Sequence, residues 1–327
     1  MIRSKFLFGL CLSVLFSAAL SPSGQPQESP DFAGDWVIKI GNRVFVLITL
    51  TPVPGAAGHF TGSLARPQHF TITGGGALSN IKGPVVQYPI VRGNSSGNCL
   101  SFTAQNPADK NDEDNFLLCI IGQGRGTLKL DFPGFESSPV TKDKGPLVVA
   151  TDWDNTRNYF LDDSDVSNPD MQRIFEEDQR VREPGMGKID WAVVNKTDAA
   201  RREATRKLLA DGKLHTGEDF ERAAFAFQHG DTPEDYLLAH TLSMVAVARG
   251  QSKAIWIAAA TLDRYLNSIH QPQIFGTQFD TPSNGPVTQE PYNRSLISDA
   301  LRRYLSVPSQ ATQDEQRKQY EKERSTP

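Results

Sequence analysis

The chain has 327 residues, of which 38% are hydrophobic and 22% charged, with a formal net charge of −4. That length implies about two domains, each able to bury a core. The slightly acidic balance excludes a basic footprint for nucleic acid and gives no support for binding an anionic membrane surface.

Residues 1–20 read as a secretory signal peptide. Arg3 and Lys5 make a positive start, Phe6 to Leu20 is a nearly unbroken apolar run, and Ser17-Ala18-Ala19 supplies small residues for cleavage. The run is short for a membrane span, and no later stretch reaches the required length, so no transmembrane segment is expected once the signal is removed. Cys11 follows Leu10 inside the run, which does not suit a lipid-modified cysteine. Residues 21–30, rich in Ser, Pro, Gly and Gln, read as a flexible leader.

From residue 31 to residue 161 short strand signals dominate. Trp36 to Ile40, Val44 to Leu50, His69 to Thr73, Val85 to Val91, Gly126 to Leu130 and Pro146 to Ala150 are separated by turn residues such as Pro54-Gly55 and Gly74-Gly75-Gly76. This spacing predicts an all-β barrel or sandwich. Cys99 and Cys119 lie in two strand-like runs around a turn-rich segment. A hairpin centred near Asp109 places them opposite each other, and an oxidising compartment makes a cross-strand disulfide the expected outcome. Two free buried thiols are the alternative for a chain that stays in the cytoplasm.

Residues 162–168 form an acidic linker, and a helical bundle is expected over residues 169–306. Asn168-Pro169-Asp170 starts a helix with a cap, a proline and an acid. Further helices are predicted over residues 198–210, 218–229, 232–249 and 252–269, three of them ending at Gly212, Gly230 and Gly250. The last two are apolar nearly all round, which predicts that they sit in the middle of the bundle. Residues 307–327 form a charged tail, a solvated helix or disordered. The expected fold class is therefore α+β with two domains, an N-terminal barrel or sandwich and a C-terminal helical bundle.

No nucleophile elbow, phosphate loop, zinc-binding helix or CxxC motif is present. No cofactor or metal is expected, because the six histidines lack ligand spacing and the acidic runs near Asp152 and Asp162 lack the pattern of a calcium loop. What remains is polar residues in apolar surroundings. Asp178 and Arg182 stand four apart, beside Gln179, and form either a surface ion pair or part of a site. Gln228-His229-Gly230-Asp231 ends a helix, where His229 either caps the negative end or acts chemically. His240, mid-helix, reads as a core histidine with one hydrogen bond. Asp263-Arg264 interrupts an apolar helix and must be paired or line a wet cleft. Gln273, Thr277 and Gln278 follow it in a turn dense in hydrogen-bonding groups, which either recognises a polar ligand or ties the loop to the bundle.

On Asp178-Gln179-x-x-Arg182, Gln228-His229-x-Asp231, Asp263-Arg264 and Gln273-Ile274-Phe275-Gly276-Thr277-Gln278, in that order, the helical half resembles the bacterial domain family of unknown function numbered 6624. The resemblance covers roughly residues 170–280. It implies a helical domain whose motif residues converge, and it implies no reaction. Through Gly34-Asp35-Trp36 and Thr151-Asp152-Trp153, the β half faintly resembles the lipocalins and related calycin barrels, which implies an interior able to hold a small apolar ligand.

Two functions follow as expectations. The first is an exported protein, periplasmic or extracellular, that binds a small molecule or an envelope component. The second is a hydrolase acting on an envelope or extracellular polymer. In it His229 is the general acid or base, oriented by Asp231 or Asp263, and Arg264 and Gln278 bind substrate.

Overall fold

The structure is a computed structural model that describes residues 31–73, 77–131, 136–183 and 189–325. The signal peptide, the leader and the Gly74-Gly75-Gly76 turn fall outside the described residues. Eight strands run in succession: β1 (Gly34–Ile40), β2 (Arg43–Pro52), β3 (Phe60–Ile72), β4 (Leu78–Ser96), β5 (Cys99–Gln105), β6 (Glu113–Gly122), β7 (Arg125–Leu130) and β8 (Ser138–Lys142). Each pairs antiparallel with its neighbour in sequence, and β8 returns to β1 through Trp36↔Lys142 and Val37↔Thr141, closing the barrel. Closure leaves no strand edge unpaired by another strand.

Period-two alternation decides what fills the barrel. Trp36, Ile38 and Ile40 of β1 join Ile48, Leu50, Leu64, Ile90, Leu100, Phe102, Leu118, Leu128 and Val140 in one buried cluster. Eight strands leave an interior that side chains of this size occupy. Cys99 and Cys119 face each other in the β5–β6 register and form a disulfide.

The expected α+β division into a β half and a helical half stands, and the detail within each half needs correction. The β half is a single closed barrel, and a sandwich is overturned: no second sheet exists among the described residues. The closing strand is Ser138–Lys142, which contains Pro139, a residue that argues against strand in a sequence. The more strand-like run at residues 146–150 lies outside the barrel instead. There Leu147 and Val149 cover Val37, Val44 and Ala65.

The helical region comprises α1 (Pro169–Arg180), α2 (Trp191–Ala210), α3 (Gly217–Gln228), α4 (Pro233–Ala248), α5 (Ile255–Ser268), α6 (Asp299–Tyr304) and α7 (Gln310–Ser325), with a 3-10 turn at Ser252–Ala254. Its central helix is α3, not the two most apolar ones. It packs against α1, α2, α4 and α5. Buried Ala223, Ala224 and Ala226 let those neighbours approach, and Phe227 fills the space between them. By contrast α4 exposes Leu237 and Met244, and α5 exposes Trp256. Caps fix the starts: the Asn168 side chain accepts from the amides of Asp170 and Met171, and Thr216 and Asp219 form a reciprocal capping box. The charged tail is helical as α7, and its Gln313 is buried and donates to Phe275 O at 2.8 Å. No described helix is long and apolar enough to cross a membrane.

The acidic linker is held from both sides. Arg249, at the end of α4, donates to Asp163 Oδ1 at 2.6 Å and Asp162 Oδ1 at 2.9 Å, and its guanidinium lies 4.3 Å from the centre of the Phe160 ring. From the barrel, Gly41 N donates to Asp163 O and Asn42 N to Asp165 Oδ2.

Gly62, in β3, has φ +151°, and a Cβ there would lie 1.8 Å from the Thr49 carbonyl oxygen. Gly62→Ala is expected to cost about 3 kcal/mol through strain and overpacking. The urea midpoint of the barrel's near-ultraviolet signal reads this, and an unchanged midpoint contradicts the β2–β3 approach.

Candidate functional site at the end of the central helix

The C-terminal end of α3 leaves its last carbonyls without helical partners. Two guanidiniums arrive there from different helices. Arg202 of α2 donates to His229 O at 2.5 Å, and Arg264 of α5 donates to Gln228 O at 2.9 Å. Cations suit this negative end of the helix dipole. Arg202 also binds Asp231 and lies 3.5 Å from Asp235 Oδ2, while Arg206 binds Asp235 Oδ1. Gly230 keeps this corner tight, because a Cβ on it would lie 2.2 Å from Asp235 Cβ.

A second layer lies against the His229 ring. Arg182, just past α1, bridges Asp178 Oδ1 at 2.8 Å and Asp198 Oδ2 at 2.6 Å. Arg201 binds Asp198 Oδ1 at 2.6 Å, and Gln179 donates to Asp178 Oδ2 at 2.9 Å. The Asp178–Arg182 pair is therefore no surface pair, for Asp178 is 1% exposed. His229 Nδ1 sits 3.5 Å from Asp178 Oδ1, close but outside hydrogen-bond geometry.

Burial is the main force on both groups. It pushes Asp178 up to about 6, outweighing Arg182, and nearby Asp198 adds to the rise. It also drives His229 down to about 3, reinforced by Arg182, Arg264, Arg201 and Arg202. At neutral pH the histidine is thus an uncharged ring among arginines, beside an ionised carboxylate. Burial likewise disfavours the charge on Arg264, which has no carboxylate partner among the described residues. The cluster holds five guanidiniums (Arg182, Arg201, Arg202, Arg206, Arg264) against four carboxylates (Asp178, Asp198, Asp231, Asp235). One positive charge is in excess, offset only by the helix end. The imidazole Nε2 and the second terminal nitrogen of Arg264 have no hydrogen-bond partner among the described residues.

The remaining sequence-named residues do different work. Asp263, fully buried, accepts from Ile274 N, Phe275 N, Thr277 N and Thr277 Oγ1 at 2.8–3.0 Å. Gln273 donates to Gln278 O and accepts from Gln278 N, and Gln278 donates to Ala260 O. These groups tie the loop after α5 to α5 itself. The expected orientation of His229 by Asp231 or Asp263 is therefore corrected. No hydrogen bond or ion pair joins His229 to either, and the carboxylate at its ring is Asp178. Gln278 is likewise spent on the loop. His240 makes one hydrogen bond, from Nδ1 to Ala258 O at 2.8 Å.

Reading the sequence missed Asp198, Arg201, Arg202 and Asp235. The signal was present: Asp198, Arg201, Arg202 and Thr205 recur at the spacing of one helical face, and all four are buried. Among the described residues no three His, Cys, Asp or Glu side chains are grouped to hold a metal ion. Two clefts lie elsewhere, one of about 440 Å³ across β4–β7 near Arg92 and Lys129, the other of about 280 Å³ between Arg157 and Thr216. The α3 end is the stronger candidate, because there a partly buried guanidinium without a carboxylate partner among the described residues meets an uncharged histidine. Comparison with protein-family models, curated proteins and solved structures finds no match to this chain.

Two outcomes are expected. The depressed His229 loses stability as pH falls from its ordinary 6.5 towards 3, because the unfolded chain binds the proton first. Asp178 acts oppositely between 3.8 and about 6, where the folded chain holds a proton the unfolded one releases. Asp178→Asn removes only the second effect. Its stability should fall on acidification over that window more steeply than that of the wild type, by up to about 1.4 kcal/mol per pH unit. Parallel denaturation curves for the two proteins contradict these assignments.

The second concerns the loop. Asp263→Asn replaces an acceptor facing amide protons with a donor, and should cost about 3 kcal/mol with faster amide exchange at residues 274–277. Unchanged exchange there means that Asp263 does not hold the loop.

Proposed function

We propose that this chain is an exported binding protein, acting in the periplasm or outside the cell. Its recognition site is the polar cluster at the C-terminal end of α3. The observation that carries this reading is the convergence of Asp178, Gln179, Arg182, Gln228, His229, Asp231 and Arg264 from separate elements onto one cluster. Burying so many charges is costly unless every one is paired, and here Arg264 Nε and His229 Nδ1 are buried without a hydrogen-bond partner among the described residues. The Cys99–Cys119 disulfide supports an oxidising compartment, in keeping with a signal peptide at residues 1–20. A barrel interior filled with large side chains supports a scaffold role for the β half rather than a ligand chamber. On the same motif residues, we propose the helical region as a relative of the family numbered 6624.

Capture from an envelope extract tests this. Wild-type protein incubated with the extract and washed should retain a small molecule or glycan fragment visible by native mass spectrometry, and His229→Ala should lose it. Equal retention by both proteins, or none by either, contradicts the reading.

One observation favours hydrolysis as a second reading: the uncharged His229 has Asp178 at its Nδ1 and leaves Nε2 without a partner among the described residues. That arrangement has the geometry of a general base, held by a ring that binds protons weakly. Turnover of an envelope polymer that His229→Ala abolishes would support it. Capture of the same polymer with no turnover would leave binding alone.

A further inference from the structure

We infer that the ligand group taken at the end of α3 is an oxyanion with a hydroxyl beside it, as in a sugar acid or a sugar phosphate. This rests on the binding reading above and deepens it by naming the chemistry of the ligand.

The anion follows from the charge count. Arg182, Arg201, Arg202 and Arg206 each face a carboxylate, whereas Arg264 spends one nitrogen on Gln228 O and has none. Gln228 O offers only part of the charge of a helix end, about half an electron shared with Arg202. Arg264 Nε is buried without a hydrogen-bond partner, and its other terminal nitrogen has none among the described residues. A guanidinium held in this way lacks what an oxyanion supplies, a charged acceptor for its free N–H groups.

The hydroxyl follows from the histidine. With the Asp178 carboxylate 3.5 Å from Nδ1, the favoured neutral tautomer carries its proton on Nδ1. Nε2 is then a lone-pair acceptor with no hydrogen-bond partner among the described residues. It would repel an oxyanion and accept from an O–H. The neighbouring Tyr236 hydroxyl is already committed to Gly230 O at 2.7 Å. Arg264 and His229 therefore ask for different groups on one ligand, an anionic oxygen and a hydroxyl.

Calorimetry with four probes tests this on the full chain: glucuronate, glucose 6-phosphate, glucose and acetate. Binding of glucuronate or glucose 6-phosphate is expected, with glucose and acetate each weaker by at least about tenfold, the value of one charged hydrogen bond. Arg264→Gln should abolish the preference for the acids over glucose, and Arg264→Lys should restore part of it. An Arg92→Gln control, on the barrel, should change nothing. The wild-type comparison of the four probes stands even if an Arg264 variant folds poorly, as circular dichroism would reveal. Glucose binding as tightly as the acids overturns the inference, as does acid binding that ignores Arg264 in a folded variant, or no binding by any probe. An uncharged compound captured from the envelope in a His229-dependent way overturns the inference but leaves the binding reading intact. Failure to capture anything removes both.

Discussion

Arg264 and Arg202 meet the last carbonyl of α3 and that of its cap, His229, and the arrangement of the helical region depends on that contact. A central helix packed on several sides ends inside the protein, so its orphan carbonyls need donors that reach them. Guanidiniums do so while also suiting the helix dipole. Each one brought in must then be balanced. Asp231 and Asp235 serve Arg202 and Arg206, while Asp178 and Asp198 serve Arg182 and Arg201. Arg264 is the member left without a carboxylate. The electrostatics of the site thus grow out of a structural need, the closing of a buried helix end.

The same charges govern His229. An imidazole at an exposed helix end would gain protons from the dipole. Here burial and four guanidiniums reverse that, and the ring stays neutral far below its usual range. Asp178, one of the most buried carboxylates among the described residues, moves the other way under burial, with Asp198 adding to the rise. Two neighbouring groups with titrations pushed in opposite directions mark acid–base and recognition sites, and structural ion-pair networks perturb titrations as well.

Parts of this were legible in the sequence. The motif residues Asp178, Arg182, His229, Asp231 and Arg264 stood out because charge sat next to apolar helix, and they converge. Asp263, Gln273 and Gln278 stood out for the same reason but lock a loop, since a buried polar group looks alike from sequence whether its partner is ligand or backbone. The stripe of Asp198, Arg201 and Arg202 was hidden because charges on a helix normally mark its solvated face. Barrel closure was hidden by Pro139 in the closing strand, and by a better-looking apolar run that covers the outside. The central position of α3 was obscured because alanine carries little hydrophobic signal, although its smallness is what lets helices approach.

The most direct test of this account is nitrogen-15 NMR of the His229 ring across pH 5 to 8, with the resonance assigned by comparison with His229→Gln. The arginine field and the Asp178 carboxylate predict a ring that stays neutral throughout, with its proton on Nδ1 and Nε2 bare. A ring that gains a proton near pH 6.5, or carries it on Nε2, would contradict the account, because the guanidiniums would then not set the chemistry of the α3 end.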